Sequence, residues 1–138
     1  MKKIKVEITR VDTYVIEVDE TVFNKEWHDA FKEHFYDVTD YYNMESDPET
    51  DLEAAIHEGV AITLASYQAK NGNDGGCFIE GFGYVKRDGT LGYGREDFDE
   101  KGAWLPEDQR RKASDGLNII IDSEDDDLSW STEIFPNA

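Results

Sequence analysis

The side chains in this 138-residue chain that could do chemistry are few: His28, His34 and His57, a single cysteine, Cys77, and 32 acids. Zinc sites and zinc hydrolases place their ligands at CxxC, HExxH or comparable spacings, and no pair here has one. His34 falls with the apolar residues of a predicted helix and is expected at the core edge, whereas His28 and His57 are expected at the surface of different helices. Nucleophilic triads leave no local signature in the sequence. Gly81-Phe82-Gly83 lacks the third glycine, the following helix and the ribose-binding acid of a dinucleotide site. The best metal candidate is Asp122-Ser123-Glu124-Asp125-Asp126-Asp127. Laid on the calcium-loop pattern, Asp122, Glu124 and Asp126 take the first, third and fifth positions and Glu133 the twelfth. Asp127 stands where the sharp turn needs glycine, and the preceding segment reads as a strand. The run is therefore expected to be an acidic hairpin turn that holds cations loosely; no cofactor, specific metal or catalytic residue is expected.

The acids themselves carry the stronger signal. Between Asp12 and Glu58 there are fifteen, against only Lys25 and Lys32, and eight aromatic residues are threaded among them. Asn24 reads as an N-cap followed by a helix whose apolar positions are Trp27, Ala30, Phe31, Phe35 and Val38. On a helical projection Glu26, Asp29, Glu33, Asp37 and Asp40 fall on the far side, in a sector roughly 80° wide. That spacing gives about one charge per 4 Å of helix axis, against about 3.4 Å per charge along one strand of a nucleic-acid duplex. Solvent-facing helices commonly have charged outer sides. Here, however, almost no lysines compensate the acids, and neighbouring like charges are mildly destabilising. The stripe therefore points to a surface presented to a cationic partner.

Elements elsewhere in the chain must position that stripe. Ile4, Val6 and Ile8 alternate with polar residues, as do Tyr14, Ile16 and Val18, which predicts an N-terminal β-hairpin with Lys5 facing Glu17 and Lys3 facing Asp19. Thr50 with Glu53 forms a capping box before a second helix running to about Ala69. Gly59 in its interior marks a close contact or a break. After the turn at residues 71–76, Cys77 to Lys86 reads as one strand and Arg87-Asp88-Gly89 as a hairpin turn into Thr90 to Tyr93. Residues 94–116 read as a mobile loop with a helical turn or two from Pro106; it carries Trp104, a potential interface anchor, and the basic triplet Arg110-Arg111-Lys112. Leu117 to Ile121 and Leu128 to Ile134 are predicted strands. The expected fold is α+β, a single domain over 1–138: a mostly antiparallel sheet with an N-terminal hairpin and two helices packed on one face.

A net charge of −18 opposes direct binding to nucleic acid or an anionic membrane and favours a basic protein partner. A lone cysteine and the lack of a long apolar run predict a cytosolic protein. In kind, by size, charge and absence of a catalytic motif, the chain resembles the small acidic inhibitors of phages and mobile elements, of the anti-CRISPR and anti-restriction type. That resemblance implies a non-enzymatic DNA or RNA mimic that occupies the basic groove of a nuclease or other nucleic-acid-binding protein; it carries over no motif residue. The predicted contact residues are Glu26, Asp29, Glu33, Asp37 and Asp40, with Trp104 and the turn residues Asp125, Asp126 and Asp127. The same surface would serve an immunity protein for a toxin nuclease. A calcium-binding regulatory module centred on residues 122–133 is the competing class.

Overall fold

Tyr14, Ile16 and Val18 alternate with exposed Thr13, Val15 and Glu17, so one face of this strand is apolar and requires cover. In the computed structural model, which describes residues 1–72, 77–124 and 129–135, that strand lies at one edge of a four-stranded sheet. The elements in chain order are β1 (Lys3–Thr9), β2 (Asp12–Val18), α1 (Lys25–His34), α2 (Leu52–Asn71), β3 (Phe78–Ile79), β4 (Gly83–Arg87), β5 (Ala113–Glu124) and β6 (Ser129–Phe135). The class is α+β with mostly antiparallel pairing.

β2 pairs antiparallel with β5, from Asp12 opposite Glu124 to Val18 opposite Leu117, and Asp122 is the extra residue of a bulge. β5 then runs parallel to β4, and β3 closes the edge, giving the order β2-β5-β4-β3. Leu117, Ile119, Val85, Ile79 and Phe82 meet Phe23, Phe31, Val38, Ile56, Val60 and Leu64 in one buried cluster. Trp27 stacks on Phe31 at 4.7 Å between ring centroids, and Phe31 lies 5.1 Å from Phe82. Burying an aromatic or aliphatic side chain of this size contributes about 1.5–3 kcal/mol, so this cluster dominates the stability of the fold.

The two N-terminal strands lie where their alternation predicts, but neither pairs with the other. β1 pairs with β6, Lys3 opposite Phe135 and Thr9 opposite Ser129, while β2 takes β5. Arg10 joins its side chain to Asp12 at 3.0 Å across the two-residue link. β1 and β6 thus form a two-stranded ribbon of their own, apart from the four-stranded sheet. Lys5 faces Glu133 instead of Glu17, and Glu17 accepts a hydrogen bond from Asn118 Nδ2 at 2.7 Å. The predicted single strand from Cys77 to Lys86 is also divided: the chain reverses through Glu80 to Phe82, where Gly81 adopts φ 89°. That turn carries Phe82 into the core beside Ile79 and Val85, and leaves Phe78 packed on Tyr84 at 5.3 Å on the other side. Beyond the Arg87–Thr90 bridge no strand forms over Thr90 to Tyr93.

Asn24 caps α1, its side chain accepting from Trp27 N at 3.0 Å. The cap of α2 is Asp51, which accepts from Ala54 N at 3.2 Å, while Thr50 donates instead to the Asp47 carbonyl. Gly59 does mark a close approach: a Cβ there would overlap the backbone carbonyl of buried Val38. Among the described residues no helix is long and apolar enough to cross a membrane.

Gly59→Ala should therefore destabilise the fold although alanine is the better helix former. The clash is with backbone, so the loss expected is about 2 kcal/mol or more, after the gain of roughly 1 kcal/mol in helix propensity. A urea midpoint unchanged or raised by this substitution would show that Val38 does not press on α2.

Candidate partner-binding surface

With Trp27 and Phe31 turned inward, Glu26, Asp29 and Glu33 must face away from the core. All three are exposed, and none is in an ion pair among the described residues. Asp37 and Asp40 do not extend this row, because α1 ends at His34. The chain leaves the helix there and brings Val38 against Gly59. Glu26 to Glu33 spans about 10 Å with three charges, so the spacing of the expected row is kept over only about half its length.

Asp37 is committed to the turn. Its carboxylate accepts from Thr39 N at 2.8 Å and Thr39 Oγ1 at 2.6 Å and stands 3.6 Å from His28 Nε2. Burial tends to raise its pKa, but the Thr39 hydrogen bonds, with His28 and Lys32 nearby, prevail and hold it below the usual carboxylate range. Asp40 is exposed. The expected placement of two histidines is reversed. His28 is buried beside the Asp37 turn, whereas His34, left at the last helical position, is exposed. His57 lies at 2.9 Å from the Phe23 carbonyl through Nε2.

A second acidic segment, less evident from periodicity, follows. From Glu33 to Ala69 the sequence holds nine acids and no lysine or arginine. Its loop is seated on α2 by Glu58, whose carboxylate accepts from Ser46 N at 2.7 Å and Glu45 N at 2.6 Å; those backbone bonds lower its pKa. Asp40, Glu45, Asp47, Glu49, Asp51 and Glu53 remain exposed along the loop and the first turn of α2.

Trp104 sits in a corner of different character. It is exposed, and its ring packs at 5.0 Å from Phe98 and 5.2 Å from Tyr93, with the Arg110 guanidinium 4.6 Å above it. Tyr93, Trp104, Glu107, Arg110 and Lys112 line an open cavity of about 690 Å³. The whole segment hangs on a buried pair that periodicity could not reveal. Asp97 accepts from Arg111 Nη2 at 2.7 Å, Arg111 Nε and N at 3.0 Å and Gly94 N at 3.1 Å. Arg111 also reaches Cys77 Sγ at 3.1 Å and the Gly92 carbonyl at 3.3 Å. The Arg111 hydrogen bonds hold the Asp97 carboxyl far below the usual range, and Asp97 in turn raises Arg111. The only advance signal was the basic triplet in which Arg111 is the central residue.

The predicted contacts Asp125, Asp126 and Asp127 lie outside the described residues. Of the acids laid on the calcium-loop pattern, Glu124 accepts from Tyr14 OH at 2.9 Å and stands 3.8 Å from Arg10. Burial and that bond push the Tyr14 pKa up to about 12. Glu133 lies on β6 opposite Lys5. Among the described residues no three His, Cys, Asp or Glu side chains converge as a metal would need.

What this arrangement can do chemically is electrostatic: it offers exposed, uncompensated carboxylates on α1 and on the following loop, and a cation–aromatic corner at Trp104. No protein-family model, curated protein or solved structure matches the chain.

The depressed pKa of Asp97 sets a pH dependence. Its contribution to stability is fully present above its ordinary value, near pH 4, and is lost as pH falls through the lower folded value. Asp97→Asn should therefore lower the urea midpoint at pH 7 and flatten the acid-side decline below about pH 4. Equal acid limbs in the two proteins would remove Asp97 from this role.

Proposed function

We propose that this protein is an inhibitor that occupies the basic nucleic-acid-binding groove of another protein by charge mimicry, in the manner of anti-CRISPR and anti-restriction inhibitors. The observation that carries this reading is the run from Glu33 to Ala69, with nine acids and no lysine or arginine. Carboxylates exposed without cationic partners raise the free energy of the isolated molecule by self-repulsion and lower it when a cationic groove is bound. Glu26, Asp29 and Glu33 form one contact set, and Asp40, Glu45 and Glu49 a second. A patch drawn from a helix and a loop replaces the longer single-helix ladder, since α1 alone is too short to track more than a few phosphates. Asp37 keeps the intervening turn in place. The basic corner at Trp104 would meet acidic or aromatic groups bordering the groove.

The test neutralises the two sets separately, as Glu26→Gln/Asp29→Asn/Glu33→Gln and as Asp40→Asn/Glu45→Gln/Glu49→Gln. Each triple variant should retain the wild-type fold, because none of these side chains is buried. Association with a captured basic nuclease, competed by DNA or RNA, should slow by about tenfold or more at low salt in either variant, with the difference shrinking as salt is added. Wild-type association kinetics in both variants, or a complex that nucleic acid does not displace, would overturn the reading.

A further inference from the structure

In a chain with 32 acids an arginine has every opportunity to meet a carboxylate, yet Arg110 does not. Among the described residues its guanidinium makes no ion pair, its Nε is buried without a hydrogen-bond partner, and it lies 4.6 Å from the centre of the Trp104 ring. Lys112 is exposed and is in no ion pair among them either. Arg110 is extended, at φ −82° and ψ 161°, and β5 begins at Ala113. Alternation along such a run separates Arg111, which turns to Asp97 and Cys77, from Arg110 and Lys112. Those two cations, roughly 7 Å apart along the chain, line the cavity of about 690 Å³ beside Tyr93 and Trp104.

The walls around them are held in place before any ligand arrives. Arg111 Nη2 donates to the Gly92 carbonyl at 3.3 Å and Thr90 Oγ1 accepts from Gly92 N at 3.1 Å, which sets the wall that carries Tyr93. On the other side the Asp97 carbonyl accepts from Leu105 N at 2.9 Å, and Asp99 Oδ1 accepts from Lys101 N and Ala103 N at 2.9 Å. Those bonds close the turn that presents Trp104. Both walls therefore depend on the Asp97–Arg111 pair, and little ordering entropy is left to oppose binding. Tyr93 is 85% exposed and Trp104 43%, so aromatic surface stands open beside unpaired cations.

A ligand that answers this chemistry carries a flat ring and an anion a short distance apart, in a cavity of ordinary small-molecule size. A nucleotide has both: the base can stack on an open ring, and the phosphate makes charge-assisted bonds to Arg110 and Lys112. Of the two acids lining the cavity, Asp97 is spent on Arg111, and Glu107 repels phosphate but accepts from ribose hydroxyls. Charges farther than about 8 Å are largely screened, so the rest of the acidic surface opposes a long polyanion far more than a ligand with about two charges. An acidic peptide would also need a strand edge or groove for its backbone, and the cavity lining before Ala113 forms only isolated bridges.

We propose that this cavity binds a mononucleotide, with the base stacked on Tyr93 and the phosphate held by Arg110 and Lys112. The site shares no residue with the acidic contact sets and does not rest on charge mimicry.

Titration of the full chain with AMP, GMP, CMP and UMP in turn, at constant ionic strength and followed by calorimetry, tests this. At least one should bind saturably and about tenfold or more tighter than its nucleoside or inorganic phosphate, each of which carries half of the recognised chemistry. Arg110→Gln should weaken that nucleotide by about tenfold, whereas Tyr93→Ser should weaken the nucleotide and leave inorganic phosphate unchanged. Neither side chain belongs to the buried core, so circular dichroism should stay that of the wild type. Amide chemical shifts of the wild type give a readout independent of any variant, and on nucleotide addition they should move at residues 90–93 and 104–112. No saturation by any of the four up to about 10 mM, inorganic phosphate bound as tightly as the nucleotide, or shifts centred elsewhere would each overturn the proposal.

Discussion

The pairing of β2 with β5 is the constraint on which the rest of the molecule depends. It brings Val18 against Leu117 and so closes the 98 residues between them into one loop. The entropy of such a closure grows only slowly with loop length, and the apolar surface gained against α2 offsets it. Once the register is set, Tyr14, Ile16 and Val18 face the helices, Ile119 and Leu117 complete the floor of the core, and β4 has an edge to pair with. β1 and β6 pair with each other apart from that sheet, in the same antiparallel sense.

A molecule with 32 acids could be expected to treat them all as solvent-facing charge. Several are instead its fasteners. Asp37 closes the turn after α1, Asp51 caps α2, Glu58 seats the acidic loop and Asp97 gathers four donors in the segment before β5. In each case an ionised carboxylate accepts backbone N–H groups that the chain would otherwise leave without a partner, and such charge-assisted bonds are stronger than neutral ones. The negative charge therefore divides into carboxylates that hold the fold and carboxylates that the fold holds out to solvent. Only the second group is free to act on another molecule.

Much of this was legible in the residues, and the failures have definite causes. Alternation placed β1 and β2 and named their faces, and Asn24 and Gly59 announced a helix start and a close backbone approach. Alternation cannot name a strand's partner, however. In so acidic a chain almost any register sets some lysine opposite some acid, so the complementarity of Lys5 with Glu17 carried little information. The helical period overextends α1 because Val38 fits it, yet the burial of Val38 is achieved from the loop, against Gly59. His28 and His34 exchange places because the buried face of α1 runs through His28 and Phe31 and leaves Ala30 and His34 exposed. The pair Asp97 and Arg111, fourteen residues apart in a segment without periodicity, left no pattern from which a contact could be read.

Lys3 lies opposite Phe135, so both ends of the described chain leave the fold together at the tip of the β1–β6 pair. A pull applied between those ends would load the hydrogen-bonded pairs of the ribbon one after another, from the tip inward, instead of shearing them all at once. The first seven pairs would part with nothing buried behind them, and resistance would rise only at β2 and β5, where the core is reached. Mechanically the described chain is a zipper with a soft lead and a firm stop, and a pull between its two ends would begin at its weakest point.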